Sequence, residues 1–444
     1  MVPCPCVLNF AHIEKTAGTT LRYLIEDHFD HSEVFLGQFR WLVTRKDVKP
    51  QHRFLRHHIP WLLRNLGEVE TFVDQLTTLR DPLDRMASYY FHWVRDLKEL
   101  DIDLALSQRD VSLELAQYLR NAPSASFNIE NALLMPRNYQ TRWLAAAHSS
   151  ERLDPWSAQA PSIEAAKRFL KSCRWIGLVE NMRQSLLALH LEFSWRPTNL
   201  DRRENEKHPG QKVELTENDR RRLRSEHDID TALCSWARKE ATDRISRAIA
   251  VRTAELESAA LDRSWKDYKK LPTSITTRPD GLFELCEKAY LFRRLHAAAY
   301  SGTLVFNAAS ALVGNGWQRR EYREDGSVEP YRWSGPEPVS DIDIAVAAPR
   351  GGHFRFHINA FQHRMPFKLR GFANGQAMAE PTIEPSSEGG IVWSAEFPPI
   401  KESLGFIRFS FEVPEVARLC DFADTPDRRL VGFSFRRAAV HCYH

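Results

Sequence analysis

Between Asn9 and Arg22 the chain reads NFAHIEKTAGTTLR, a lysine, three threonines and a glycine set between an apolar run and an amphipathic one. A small-residue turn from strand to helix cradles anions. The first amides of the helix lack partners inside it, and the helix dipole favours a phosphate or sulfate there. Gly18, with Ala17 beside it, lets the backbone come close to a ligand; Lys15 adds a mobile cation, and Thr16, Thr19 and Thr20 add hydroxyl donors. The lysine precedes the glycine, so the G-x-x-x-x-G-K-[ST] pattern of ATP and GTP binders is absent. An ordinary capped turn is the competing reading.

A second cluster follows at Thr77-Thr-Leu-Arg80-Asp81-Pro82-Leu-Asp-Arg85-Met-Ala-Ser88. A strand ending at Arg80, with Asp81 as helix cap and Pro82 as first helical residue, sets Arg80 at the mouth of a sheet. Ser88 lies two turns along that helix. A guanidinium and a hydroxyl presented this way suit a second phosphate, held by the planar fork of arginine. The alternative is an Arg80 paired with an acidic neighbour.

To position such groups the chain needs strands joined by helices, and residues 1 to about 240 alternate short apolar runs with 3.6-periodic segments in that manner. Strands are predicted at Cys6–Phe10 and Trp175–Val179. Helices are predicted at Thr19–Phe29, Pro82–Leu100 (Met86, Tyr89, Tyr90, Trp93, Val94 and Leu97 on one face), Ile163–Leu170 and Met182–Leu191. Residues 213–270 read as charged and helical, with Arg220–Arg222 a solvated face. From Thr303 the texture becomes short alternating strands between turn residues: Asp341–Ala347, His353–Asn359, Phe367–Phe372, Ile391–Phe397, Phe406–Val413 and Leu430–Phe435. The fold class is therefore α/β with a mostly parallel sheet in three layers, followed by an antiparallel, jelly-roll-like β-sandwich. Boundaries fall at 1–268 for the α/β domain with a helical extension, 269–302 for a connector with its linker at Lys269–Asp280, and 303–444 for the sandwich.

The 444 residues carry 61 Lys and Arg against 58 Asp and Glu, a net charge of +3. That balance offers no broad surface for nucleic acid or for an anionic membrane, so any anion site must be local. Seven scattered cysteines without a C-x-x-C pair read as reduced thiols, Cys4 and Cys6 as buried strand residues and not a metal pair. Met1–Phe10 has no basic segment of the signal-peptide kind, and no apolar run reaches about 18 residues, so no transmembrane helix is predicted. A cytoplasmic setting follows as an expectation. No metal cluster is predicted; His353 and His357 share a strand face but stand roughly 13 Å apart.

The motifs also resemble a known family. HIEKTAGTT is similar to the H-I-P-K-T-A-G-T-S loop of sulfotransferases related to the heparan sulfate 2-O-sulfotransferases and their bacterial relatives. LRDP through Ser88 resembles their L-R-D-P-x-x-R-x-x-S helix, Asn138-Tyr-Gln140-Thr-Arg142-Trp-Leu-Ala their N-x-Q-T-R-x-L-A-G segment, and Ile176-Gly-Leu-Val-Glu180-Asn their V-G-L-T-E-R segment. The resemblance extends from residue 5 to about 240. It implies a P-loop-like fold and transfer of a sulfuryl group from 3′-phosphoadenosine-5′-phosphosulfate (PAPS) to a carbohydrate hydroxyl, with 3′-phosphoadenosine-5′-phosphate (PAP) as product and no metal. Lys15, Thr16, Ala17, Gly18, Thr19 and Thr20 would hold the 5′-phosphosulfate, and Arg80 and Ser88 the 3′-phosphate.

By the same resemblance, Arg56-His57-His58-Ile-Pro60-Trp61 is similar to the family's G-H-x-P-Y stretch, which carries the catalytic base. Aligned on Pro60 the base is His58, with His57 as the alternative because it stands where glycine is usual. An imidazole with a pKa near 6.5 accepts a proton at neutral pH, as the reaction needs. Lys15 would neutralise charge on the bridging oxygen. Arg202 and Arg203 resemble a segment that closes over the nucleotide, and Arg142 and Trp61 are candidate acceptor contacts. Two rival readings are a P-loop-like kinase and a catalytically silent glycan-binding or scaffold protein. In the sandwich, Trp317 and Trp333 beside turn glycines could stack on sugar rings or fill the core. That domain is also a candidate surface for homo-oligomerisation.

Overall fold

A computed structural model of the chain describes residues 7–37, 48–57, 73–99, 137–148, 160–201, 215–260, 279–295, 299–321, 330–359, 368–387, 389–400, 405–421, 425 and 427–443. The chain divides into two compact units. One comprises Met1–Arg22, Val34–Leu189 and Arg202–Ala248, the other Tyr23–Glu33, His190–Asp201 and Ile249–His444.

In the first unit, β1 (Val7–Ala11), β2 (Val34–Gly37), β3 (Phe54–His57), β4 (Val73–Leu79) and β5 (Cys173–Leu178) form a parallel sheet in the order β2-β3-β1-β4-β5. β1 and β5 are buried along almost their whole length, as parallel strands covered on both faces are. The helices that begin in this unit are α1 (Gly18–Glu26), α2 (Pro82–Glu99), α3 (Tyr139–His148), α4 (Ile163–Ser172), α5 (Met182–Phe193), α6 (Glu217–Glu226) and α7 (Asp228–Ala260), of which α1, α5 and α7 end in segments of the second. Local chemistry sets their starts. The Ser162 side chain accepts from the Ala165 amide to open α4, and Thr216 and Asp219 form a reciprocal capping box on α6. Buried Ala166, Phe169 and Leu170 of α4 join Tyr139, Trp143 and Leu144 of α3, Leu233 and Ala237 of α7, and Ile176 and Leu178 of β5 in one core.

The second unit is β-rich. After α8 (Pro279–Leu295) come β6 (Thr303–Asn307), β7 (Arg332–Trp333), β8 (Val339–Ile344), β9 (Gly352–Asn359), β10 (Arg370–Ala373), β11 (Gln376–Ala377), β12 (Thr382–Pro385), β13 (Ile391–Phe397), β14 (Ile407–Glu412), β15 (Ala417–Arg418), β16 (Leu430–Val431) and β17 (Ser434–Cys442). One antiparallel sheet runs β11-β10-β14-β8, another β12-β13-β9-β17-β6 with β7 on β17, and β15 pairs with β16. Aromatic rings from the two larger sheets interdigitate, with centroids 4.8 Å apart for Phe354 and Phe409 and 4.6 Å for Phe356 and Phe411. The two faces thus share one core, which makes the unit a β-sandwich.

Two expectations need correction, and one open choice is decided. The single strand predicted over Leu430–Phe435 is two, because the chain breaks at Gly432 and Phe433. A side chain on Gly432 would meet Ser334 Oγ at 2.6 Å, and the Phe433 amide donates to that same hydroxyl. Trp317 and Trp333 are 2 % and 4 % exposed, and Trp317 Nε1 donates to the Asp341 carbonyl, so both are core residues and not sugar platforms. α1 ends at Glu26, where the amides of His28 and Phe29 turn back three residues to Ile25 and Glu26. Cys4, Cys6 and most of the Lys269–Asp280 linker lie outside the described residues. Among the described residues no helix is long and apolar enough to cross a membrane, and no group of three His, Cys, Asp or Glu side chains could hold a metal.

Candidate functional site

Chain connections around the central strand create the site. From β1 the chain leaves toward β2, and from β4 it leaves toward β5 on the opposite side, so the carboxyl ends of these adjacent strands form a topological switch point. Open α/β sheets take their ligands in that crevice. The loop Ile13–Ala17 leaves β1 there, and Arg80 leaves β4.

The loop is strained and tightly tied. Lys15 and Ala17 hold φ of 66° and 61°, a region that side chains with a Cβ rarely enter and that neighbours must stabilise. Thr16 supplies that support. It is fully buried, its hydroxyl donates to the Ile13 carbonyl at 2.7 Å, and its own carbonyl accepts from Thr78 Oγ1 of β4 at 2.9 Å. The Thr16 side chain is thus engaged within the loop, while Lys15 and Thr19 are half-buried and Thr20 is buried.

Gly18 is needed for a reason the sequence does not show. An added Cβ would lie 1.6 Å from His12 Nε2, and the imidazole of His12 is buried and stacked on Phe10. Its missing side chain makes room for a ring of the same unit.

Arg80 reaches this loop, with Nη1 donating to the Lys15 carbonyl at 3.3 Å. The geometry thus joins the two motifs into one corner. Asp81 caps α2 as the sequence predicts, its Oδ1 accepting from the Leu83 amide at 2.9 Å. Among the described residues Arg80 forms no ion pair, and its Nε is buried without a hydrogen-bond partner. Burial lowers its pKa, partly offset by Asp84, Glu180 and Asp81. Ser88 is half-buried on α2.

Other residues of the corner carried no assigned role in the sequence reading. The Arg85 guanidinium is buried, lies 4.6 Å from the Tyr139 ring centroid and donates to the Glu14 carbonyl at 3.4 Å, bracing the loop from α2. Gln140 and Glu180 grip the chain at the end of β4. The Gln140 carboxamide accepts from the Arg80 amide at 3.0 Å and donates to the Arg80 carbonyl at 2.8 Å, and Glu180 accepts from the Asp81 amide at 2.5 Å. Asp230, buried in the first turn of α7, accepts from the amides of Gln140 and Thr141 and from the Thr141 hydroxyl. Only their places in the N-x-Q-T-R and V-G-L-x-E segments mark Gln140 and Glu180 in the sequence.

His57 ends β3, 1 % exposed, its Nε2 within 2.6 Å of Asn9 Oδ1, while Asn9 Nδ2 donates to Gln75. That order makes Nε2 a donor and places the ring in a buried string across three strands. Arg142 donates through Nε to the Arg137 carbonyl at 2.8 Å, its pKa lowered by burial. His58, Trp61, Arg202 and Arg203 lie outside the described residues.

No protein-family model matches the chain, nor does any curated protein. Among solved structures it is similar to a family 35 carbohydrate-binding module from Clostridium thermocellum, with 13 % identity, 32 % of this chain and 100 % of that chain covered, and a TM-score of 0.21.

Proposed function

We propose that the chain is a PAPS-dependent sulfotransferase acting on a carbohydrate hydroxyl. The observation that carries this reading is the joining of Arg80 to the Lys15 loop at the switch point, an arginine in contact with an anion-type loop and in no ion pair among the described residues. A donor with phosphate groups at both 5′ and 3′ positions needs two such elements side by side. The sheet order is in keeping with a P-loop-like reading of this unit, and the carbohydrate acceptor rests on the motif resemblance. A cytoplasmic setting accords with the free cysteines Cys173, Cys234, Cys286, Cys420 and Cys442.

On this reading His58 removes the proton of the acceptor hydroxyl, whose oxygen attacks sulfur in line while the bond from sulfur to the bridging oxygen of PAP breaks. Lys15 neutralises the charge growing on that oxygen. Backbone amides at the start of α1 face the equatorial oxygens, so the protein contributes position and preorganised charge. Thr19, Thr20 and Ser88 add hydroxyl donors, with the 3′-phosphate on Arg80.

PAP is the direct probe. It should raise the melting temperature where ATP does not, and the wild-type chain should transfer sulfate from PAPS to a member of a glycan panel, with His58→Ala and Lys15→Ala inactive. Absence of PAP stabilisation rejects the donor site, and full activity in His58→Ala rejects the base.

A further inference from the structure

We infer that Gln140 is a positioning residue that sets the Arg80 guanidinium for the 3′-phosphate, an inference resting on the donor reading above. Strand pairing of β4 with β5 stops at Leu79 and Leu178. One residue on, the Gln140 carboxamide engages both the amide and the carbonyl of Arg80, at 3.0 and 2.8 Å, as a neighbouring strand would. The side chain thus takes the place of a strand partner one residue beyond the ladder and holds both main-chain polar groups of Arg80 just before the chain enters α2.

The consequence reaches the guanidinium through geometry. A backbone held at both its amide and its carbonyl fixes the direction of Cβ, and an arginine leaving a fixed Cβ has fewer conformers to sample. A preorganised donor binds its anion more tightly because less freedom is lost on binding. Gln140 is itself fixed, its amide bonded to Asp230 Oδ2 at 3.2 Å and its side chain 0 % exposed. Glu180 secures the next amide, at Asp81, so the peptide groups on both sides of Arg80 are held by side chains.

Calorimetric titration with PAP and with 5′-AMP, which lacks the 3′-phosphate, tests this. Gln140→Met should weaken PAP by about tenfold or more and leave AMP within about twofold of wild type. In an Arg80→Met background the same substitution should change PAP affinity no further, since both act through one group. Gln140→Glu keeps the size and the accepting oxygen but sets a carboxylate against the Arg80 carbonyl; it should show the same selective loss, and it carries the comparison if Gln140→Met does not fold. Equal losses for PAP and AMP, or full additivity with Arg80→Met, would overturn the inference. A wild-type chain that binds PAP no more tightly than AMP overturns the donor reading, and this inference with it. Wild-type discrimination left intact by Gln140→Met overturns the inference alone.

Discussion

The imidazole of His12 occupies the volume that a side chain on Gly18 would need, with Nε2 1.6 Å from an ideal Cβ. Because the ring is stacked on Phe10 and buried, it cannot swing aside without opening the floor of the loop. Gly18→Ala should therefore cost about 1–3 kcal/mol, the usual penalty of overpacking. His12→Ala added to Gly18→Ala should restore part of it. Urea midpoints of the two variants check this, and a Gly18→Ala chain as stable as wild type would show that the ring yields freely.

A second prediction concerns Thr78, whose hydroxyl donates to the Thr16 carbonyl between two left-handed residues. Thr78→Val keeps the shape and leaves that buried carbonyl unsatisfied, which costs about 1–3 kcal/mol. The loop carries the proposed donor site, so PAP affinity should fall with the melting temperature. An unchanged melting temperature would remove Thr78 from the loop's support.

Some of this arrangement is legible in the residues and some is not, for physical reasons. The β1–loop–α1 unit and the Arg80-Asp81-Pro82 turn are local, built from strand, cap and helix preferences acting within a few positions, and they can be read directly. The pairing of Gln140 with Arg80 spans 60 positions and that of Thr16 with Thr78 spans 62, distances over which residue preferences say nothing. The contact of Gly18 with His12 is likewise revealed only by folding. β17, paired on both flanks with β9 and β6, hides because its register shifts between Phe435 and Arg437 and breaks the two-residue alternation that marks a strand.

Acid should weaken the network around α3. The Asn138 amide donates to His227 Nδ1 at 3.2 Å, a bond only the unprotonated nitrogen can accept, and burial first, then Arg85 and Arg137, lowers the pKa of His227 against the opposing carboxylates. The folded chain thus refuses a proton that the unfolded chain accepts near pH 6.5, so stability falls as pH drops below about 6.5 toward the lower folded pKa. His227→Asn replaces the ring by an acceptor that does not titrate. Its melting temperature should decline less than that of wild type between about pH 7 and about pH 5. Parallel declines in the two proteins would place the acid sensitivity elsewhere.

In the second unit the ion pair of Arg332 and Asp27 is the sharpest stability test. Arg332 is fully buried, its Nη1 2.5 Å from Asp27 Oδ1, and its Nε shares the Ala308 carbonyl with Arg320 Nε. Two guanidiniums this close depend on Asp27. Burial, with Arg332 next in weight, already holds Arg320 down to about 10. Asp27→Asn should therefore be worse than its size suggests, since it removes the carboxylate bonded to Arg332 and weakens the set of Asp27, Glu26 and Asp30 that opposes the charge of Arg320, while Arg332→Met leaves Asp27 still facing Arg320. Breaking a buried pair from one side costs about 3–5 kcal/mol, whereas replacing both members by apolar groups of similar volume is often neutral. The expected order of urea midpoints is wild type, then Asp27→Leu/Arg332→Met, then Arg332→Met, then Asp27→Asn. A double variant less stable than Asp27→Asn would show that the arginine serves chiefly through its bond to the Ala308 carbonyl.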